Sequence, residues 1–163
     1  EDTGLAQLFG MPFVVLRKPV PFDTTTLNFN WQVWDTKAFS LYSRSTEKID
    51  KKGADMAIAA VCRFLSRMNV LNYNVYGGYE STVLIEEELV SLRSTASGLY
   101  IPHVKSFDSV ERGQVLADII DPLTGVTVAQ TEAPEDGIVF FAKDSPLVME
   151  NETLFKIVNK LHK

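Results

Sequence analysis

Two stretches, Ser109–Ile119 (SVERGQVLADI) and Leu147–Ile157 (LVMENETLFKI), are variants of one phrase. Val110, Gly113, Gln114, Leu116 and Ile119 return at a constant offset as Val148, Asn151, Glu152, Leu154 and Ile157. Each copy reads as a turn followed by a short strand. Glycine takes positive φ freely and asparagine is among the few other residues that take it cheaply, so Gly113 and Asn151 mark equivalent turns. A further β run precedes each copy, Leu99–Val104 and Ile138–Ala142, opening after Gly98 and Gly137. The halves join through Asp121-Pro122-Leu123-Thr124-Gly125, a Pro/Gly turn between apolar runs. Short strands with turn signals at this spacing predict a small barrel or sandwich.

The arrangement resembles the barrel-sandwich hybrid of biotinyl and lipoyl carrier domains, over roughly the last third of the chain. A carrier presents one lysine on the hairpin between its halves, where the cofactor is attached. No lysine occurs between Arg112 and Lys143, so the hairpin has no amine to acylate. The resemblance extends to the fold and not to swinging-arm chemistry.

The length of 163 residues suits one domain or two small ones, and 45% hydrophobic residues are ample for a buried core. No run is long enough to span a bilayer, and no charged-then-apolar leader is present. The chain opens on helix-like sequence at Glu1-Asp2-Thr3 without Met, which is expected either of a portion of a longer polypeptide or of a chain from which a tag has been removed. The lone Cys62 rules out an internal disulfide framework and favours the cytoplasm. Net charge is −5, and between Ser106 and Val158 acids far outnumber Arg112, Lys143 and Lys156. A nucleic-acid partner needs a basic face, so this class is excluded. The acids read as a solvated surface.

Upstream, GLAQLFG (residues 4–10) reads as a helix end stopped at Gly10. Phe13–Leu16 (FVVL) has the continuous apolar character of a strand buried on both faces. Lys18-Pro19-Val20-Pro21 breaks regular structure. Thr24–Thr26 offer caps for a helix with Leu27, Trp31 and Trp34 on one face. Ala38–Ser43 alternates like a central strand. Asp50 caps a helix over Lys51–Asn69 whose stripe is Ala54, Ile58, Val61, Cys62, Leu65 and Met68, widened by Ala57, Ala60 and Phe64. Asn69–Glu80, with Gly77-Gly78, reads as a linker, followed by β segments at Thr82–Glu87 and Leu89–Arg93. The composition shift predicts a boundary at 72, between an α/β part (1–72) and an all-β domain (73–163). Two strands are too few for an independent α/β domain, so the rest of that sheet is expected elsewhere.

This order of parts resembles the C-terminal portion of the succinylglutamate desuccinylase/aspartoacylase family, the deacylase branch of the zinc carboxypeptidases. LAQLFGMPFVV is similar to the family's helix-into-strand phrase after its last metal ligand. KAFSLYSRSTEKID is similar to the strand bearing its catalytic glutamate, and ADMAIAAVCRFLSRMNVL to the last helix of its catalytic domain. GLYIPHV, SVERGQVLADIID and EAPEDGIVFF are similar to its C-terminal β domain. The resemblance implies a remnant of a zinc-carboxypeptidase-like α/β sheet followed by a barrel-sandwich-hybrid-like β domain.

It also implies zinc-dependent cleavage of an amide in an N-acyl amino acid or peptide-like substrate, by three protein ligands, an open metal position and a carboxylate base. The family draws its ligands from His-x-x-Glu and a later His. Here the histidines are His103 and His162, and neither has a ligand-spaced partner. The resemblance therefore puts the ligands upstream of Glu1 and expects no metal or other cofactor in this chain. The family's base falls in Ala-Phe-Thr-Leu-Glu-x-Gly. Here the phrase is Ala38-Phe39-Ser40-Leu41-Tyr42-Ser43-Arg44, with Tyr42 at the glutamate and Arg44 at the glycine. A phenol of pKa near 10 is a poor base at neutral pH. Four readings stay open: the base has moved to a carboxylate such as Glu47; Tyr42 and Arg44 bind or polarise substrate; the parent has lost activity; or Tyr42 simply packs in a strand.

No G-x-S-x-G elbow, phosphate-binding loop or Cys–His arrangement is present. The expected function is that of the C-terminal portion of a deacylase, inactive alone. Its partners are the small substrate and the remainder of the catalytic domain. The β domain shapes the active-site entrance or builds a homo-oligomer, and the place to look is between Arg44–Asp50 and that domain. The alternative is a non-catalytic interaction module, or an inactive relative, that binds a partner through the β domain.

Overall fold

A computed structural model describes residues 3–42, 49–74 and 77–159. The chain is mixed α/β and divides into two compact units, Glu1–Glu87 and Glu88–Lys163. The division falls between Glu87 and Glu88, after the predicted boundary at 72, because a strand at Thr82–Ile85 pairs within the first unit.

The second unit builds the repeat. Its strands are β3 (Val90–Arg93), β4 (Gly98–Pro102), β5 (Ser109–Val110), β6 (Val115–Ile120), β7 (Thr127–Glu132), β8 (Gly137–Ala142), β9 (Leu147–Val148) and β10 (Thr153–Asn159). They form two antiparallel sheets, ordered β3-β10-β8-β5 and β7-β6-β4-β9. Replacing each strand by its counterpart in the other half converts one order into the other. The quasi-twofold repeat seen in sequence is thus a repeat of pairing.

The turns match in detail. Gly113 and Asn151 have φ of 80° and 70°. The Gly113 N–H donates to the Ala133 carbonyl at 2.8 Å and the Asn151 N–H to that of Ser94 at 2.8 Å. The Gln114 side chain accepts from the Glu111 N–H at 3.0 Å, as the Glu152 side chain does from the Met149 N–H at 3.0 Å. A Cβ at Gly98 would lie 2.5 Å from the Ile120 carbonyl oxygen, and one at Gly137 2.6 Å from that of Val158, so both strand starts need the bare backbone. Asn151→Ala is expected to destabilise this unit by about 1–2 kcal/mol while Asn151→Gly costs far less, because a left-handed residue with an ordinary Cβ is strained. Urea denaturation of the two variants checks it.

Bulges fall at equivalent places, between Val115 and Ala117 and between Thr153 and Phe155. A bulge breaks the period of two, so Leu116-Ala117 and Leu154-Phe155 are each buried as consecutive pairs. Both sheets feed one core, centred on Tyr100, Leu116, Ile119, Val139, Phe155 and Ile157. The Tyr100 and Phe155 rings lie 6.0 Å apart. Among the described residues the buried Tyr100 hydroxyl has no hydrogen-bond partner, and burial pushes its ionisation well above the usual phenol range.

The first unit contains α1 (Thr3–Gln7), β1 (Phe13–Leu16), a 3₁₀ turn (Pro21–Thr25), α2 (Leu27–Val33), α3 (Lys51–Arg67) and β2 (Thr82–Ile85). The predicted caps are in place: Thr26 Oγ1 accepts from the Phe29 N–H at 3.3 Å and Asp50 Oδ1 from the Gly53 N–H at 3.0 Å. β1 and β2 pair in parallel, with Val14 opposite Val83 and Leu16 opposite Ile85. The stretch read as an interdomain linker instead joins α3 to β2 inside this unit.

The structure corrects several expectations for this unit. Ala38–Tyr42 is not a strand: its alternation is real, but no described backbone pairs with it. β1 is not sheltered on both faces, since nothing in the unit buries Val15 or the neighbouring Val83 and Ile85. The stripe Ile58, Val61 and Met68 of α3 faces outward, whereas Gly53, Ala60 and Arg63 are buried. The inward side is fixed by rings: Phe64 stacks on Phe9 at 4.2 Å, and Phe39 meets Phe9 edge-on at 5.7 Å. The aromatic face of α2 is also outward. Asn28 and Gln32, on its polar side, hydrogen-bond to Ser40 and to the Ala38 carbonyl, leaving Leu27, Trp31 and Trp34 exposed.

Candidate functional site

Ala38–Tyr42 carries the residue that the resemblance places at the catalytic position. Ala38 is buried and Phe39 packs on Phe9 and Phe64, so the segment is anchored at its start. It then rises to the surface: Tyr42 is 80% exposed. Arg44 and Glu47 lie outside the described residues, as does His162. The described residues thus bring no second catalytic candidate to Tyr42.

The sequence reading does not single out Arg63, although it sits among Ala60, Val61, Cys62 and Phe64 where a charge is costly. It is buried, and its Nη1 donates to the carbonyls of Phe9 at 2.5 Å and Gly10 at 3.3 Å. A Cβ at Gly10 would lie 2.9 Å from its Cδ, and one at Gly78 2.8 Å from its Nε. The two glycines, at positive φ, close over the guanidinium. The Tyr79 N–H then donates to the Gly10 carbonyl at 2.9 Å. Arg63 therefore ties the start of β1 to the approach to β2. The signal available in the sequence is an arginine on an apolar helix, with glycines distant in the chain to close over it.

In the β unit, His103 follows β4 rather than lying in it. Its Nε2 is 2.8 Å from Asp118 Oδ2, while Gln130 Nε2 donates to Asp118 Oδ1 at 2.8 Å. The Gln130 hydrogen bond first, and that of His103 second, hold the Asp118 carboxyl below the usual carboxylate range. Among the described residues, no three of His, Cys, Asp and Glu converge as a metal site. The cluster is an oriented imidazole on a carboxylate, and no nucleophile or third ligand among the described residues stands beside it.

The inter-half hairpin runs through Asp121–Gly125, closed by the Gly125 N–H donating to the Asp121 carbonyl at 2.8 Å. The Asp121 carboxylate accepts from the Leu123 N–H at 2.8 Å, which keeps its carboxyl below the ordinary range. Glu152 is lowered likewise, first by the Lys143 ammonium at 2.5 Å. Ionisation of these carboxyls favours the folded state. Their contribution is therefore present above the unfolded carboxylate range, about pH 4, and is lost as pH falls through the lower folded values. The β unit is expected to hold its melting temperature from neutrality to about pH 5 and to lose part of it below about pH 4, with Glu152→Gln reducing that loss. Melting curves from pH 3 to 7 measure this.

Among the described residues, no helix is long and apolar enough to cross a membrane. Neither a family model nor a curated protein sequence matches the chain. Solved structures do. The succinylglutamate desuccinylase/aspartoacylase from Rhodobacter sphaeroides aligns with a TM-score of 0.78 and 14% identity, over 99% of this chain and 49% of that one. The product-bound ectoine utilization protein EutE (DoeB) from Ruegeria pomeroyi gives 0.78 and 12%, over 95% of this chain and 47% of that one. An aspartoacylase family protein from Mesorhizobium loti gives 0.65 and 17%, over 99% and 48%. This chain spans about half the length of the structures it matches. It has the fold of one portion of the succinylglutamate desuccinylase/aspartoacylase structures.

Proposed function

We propose that this chain is the C-terminal portion of a cytoplasmic zinc-dependent deacylase that cleaves the amide of an N-acyl amino acid or a peptide-like substrate. The first unit is then the end of the catalytic α/β domain. The second is a barrel-sandwich hybrid that shapes the active-site entrance or builds a homo-oligomer. The observation that carries the reading is the fold match, which takes in nearly all of this chain and about half of the Rhodobacter sphaeroides structure. The quasi-twofold exchange of strands between the two sheets supports the barrel-sandwich assignment.

The described residues of this chain do not fit a zinc site. The imidazole of His103 is turned onto Asp118, and no further ligand group among the described residues joins them. The reading therefore assigns the ligands to a segment preceding Glu1. Tyr42, Arg44 and Glu47 are the residues of this chain it puts nearest the chemistry. The test is hydrolysis of a panel of N-acetyl and N-succinyl amino acids by the longest natural form of the protein. Release of the free amino acid is expected, with none from the 163-residue chain alone. No release from the long form contradicts the reading. Tyr42→Glu in that form then decides the role of Tyr42, since an unchanged rate removes it from the chemistry.

A further inference from the structure

We propose that β7 is a docking edge for a second copy of this chain, and that two copies join their β7 strands antiparallel about a twofold axis at Thr131. The proposal rests on the homo-oligomer half of the functional reading and not on the deacylase chemistry. Among the described residues, the β unit has four sheet edges, β3, β5, β7 and β9. An edge exposes unpaired N–H and C=O groups, and proteins blunt such edges with short strands, charges or proline. β5 and β9 have two residues each. β3 ends on Arg93 and closely follows Glu86-Glu87-Glu88. β7 has six residues, Thr127-Val128-Ala129-Gln130-Thr131-Glu132, with no proline and a single charge at its last position. Val126 and Val128 are exposed beside it. The one irregularity of β7, at Val128, lies before the stretch that would pair.

The pairing within the sheet shows which groups face outward. The Ala133 N–H donates to the Gln114 carbonyl at 2.9 Å and the Ala133 carbonyl accepts from the Gly113 N–H at 2.8 Å, so the Ala133 backbone faces β6. No extra residue interrupts β7 between Ala129 and Glu132. Alternation then turns the backbone of Ala129 and Thr131 toward β6, and that of Gln130 and Glu132 to the free edge. A twofold axis at Thr131 sets Gln130 of each copy opposite Glu132 of the other, where the two residues exchange both of their backbone bonds. The side chains match as well. Gln130 and Glu132 share the exposed face of β7. Gln130 Nε2 donates to Asp118 Oδ1 at 2.8 Å, which orients the amide and leaves its second N–H for the Glu132 carboxylate of the second copy. At the axis itself Thr131 meets Thr131, a favourable cross-strand pair. An axis at Glu132 would instead oppose two carboxylates, and one at Gln130 would set each carboxylate opposite Val128.

Sedimentation equilibrium of the 163-residue chain and two variants tests the pairing. One short strand from each copy makes a small interface, so a dimer with a dissociation constant of about 10–100 μM is expected. Gln130→Lys sets an ammonium opposite Glu132 of the second copy and should leave the dimer at least as tight, although lysine ordinarily blunts an edge. Glu132→Lys added to Gln130→Lys sets ammonium groups opposite one another and should weaken the dimer about tenfold. A second readout needs no substitution. In the parent chain the outward amides of Gln130 and Glu132 should exchange at least about tenfold more slowly above the dissociation constant than below it, whereas that of Thr131 is protected at both concentrations. A chain that stays monomeric to about 1 mM overturns the proposal. So does a dimer that Gln130→Lys weakens, a dimer that the double variant leaves unchanged, or exchange at Gln130 and Glu132 that does not depend on concentration. Each of these results leaves the deacylase reading standing. A long form that hydrolyses no N-acyl amino acid removes that reading and leaves the dimer.

Discussion

Phe155→Ala is expected to cost the β unit about 3–5 kcal/mol, enough to unfold much of a small domain at room temperature. Phe155 is fully buried and belongs to the cluster fed by both sheets. Its counterpart in the other half is Ala117, also fully buried. One half therefore contributes a large residue at this level of the core and the other a small one. Truncation removes the large residue at this level, where its counterpart is already small. Phe155→Leu keeps most of the volume and should cost clearly less, about 1–2 kcal/mol. Equilibrium unfolding followed by the near-ultraviolet signal of the β unit distinguishes the two.

Arg63→Ala is expected to destabilise the first unit by about 3 kcal/mol, through the Phe9 carbonyl left without its donor and the space left by the buried stem, while the Gly10 carbonyl keeps the Tyr79 N–H. Arg63→Lys should not rescue it. An ammonium on a flexible stem does not reproduce the rigid, planar guanidinium whose Nη1 is held at the carbonyls of Phe9 and Gly10. Gly78→Ala should act in the same direction with the arginine intact, because the new Cβ would lie 2.8 Å from Nε and the residue has φ of 106°. The readout is exchange protection along α3, with that of β6 and β10 as the internal control. If all three variants leave α3 as protected as the parent does, Arg63 is not the tie between β1 and the approach to β2.

The β unit is legible in sequence because its determinants are local. Gly113 and Asn151 fix turns, Gly98 and Gly137 fix strand starts, and the phrase between them repeats, so the two halves can be read without knowing their pairing. The bulges are hidden, since Leu116-Ala117 and Leu154-Phe155 look like buried runs rather than breaks in alternation. The first unit is less legible because its determinants are distant. Nothing near Phe13 announces Thr82 as its parallel partner. Ala38–Tyr42 has a strand's composition, but a strand exists only where another backbone pairs with it. α3 is apolar on more than one side, so its pattern does not say which side Phe9 and Phe39 claim. The capped starts at Thr26 and Asp50 are plain in the sequence, because their signals lie within three residues. Of the candidate site, Tyr42 is reachable through resemblance to a family phrase, whereas its exposure emerges only from the fold.

The measurement that bears most directly on the central claim is the zinc content of the longest natural form, purified beside the 163-residue chain under the same conditions. The deacylase reading predicts about one zinc per long chain, retained through dialysis, and no stoichiometric zinc on the short one. A long form that holds no zinc when the metal is supplied, or a short chain that binds it stoichiometrically and loses it on His103→Ala, would contradict the account.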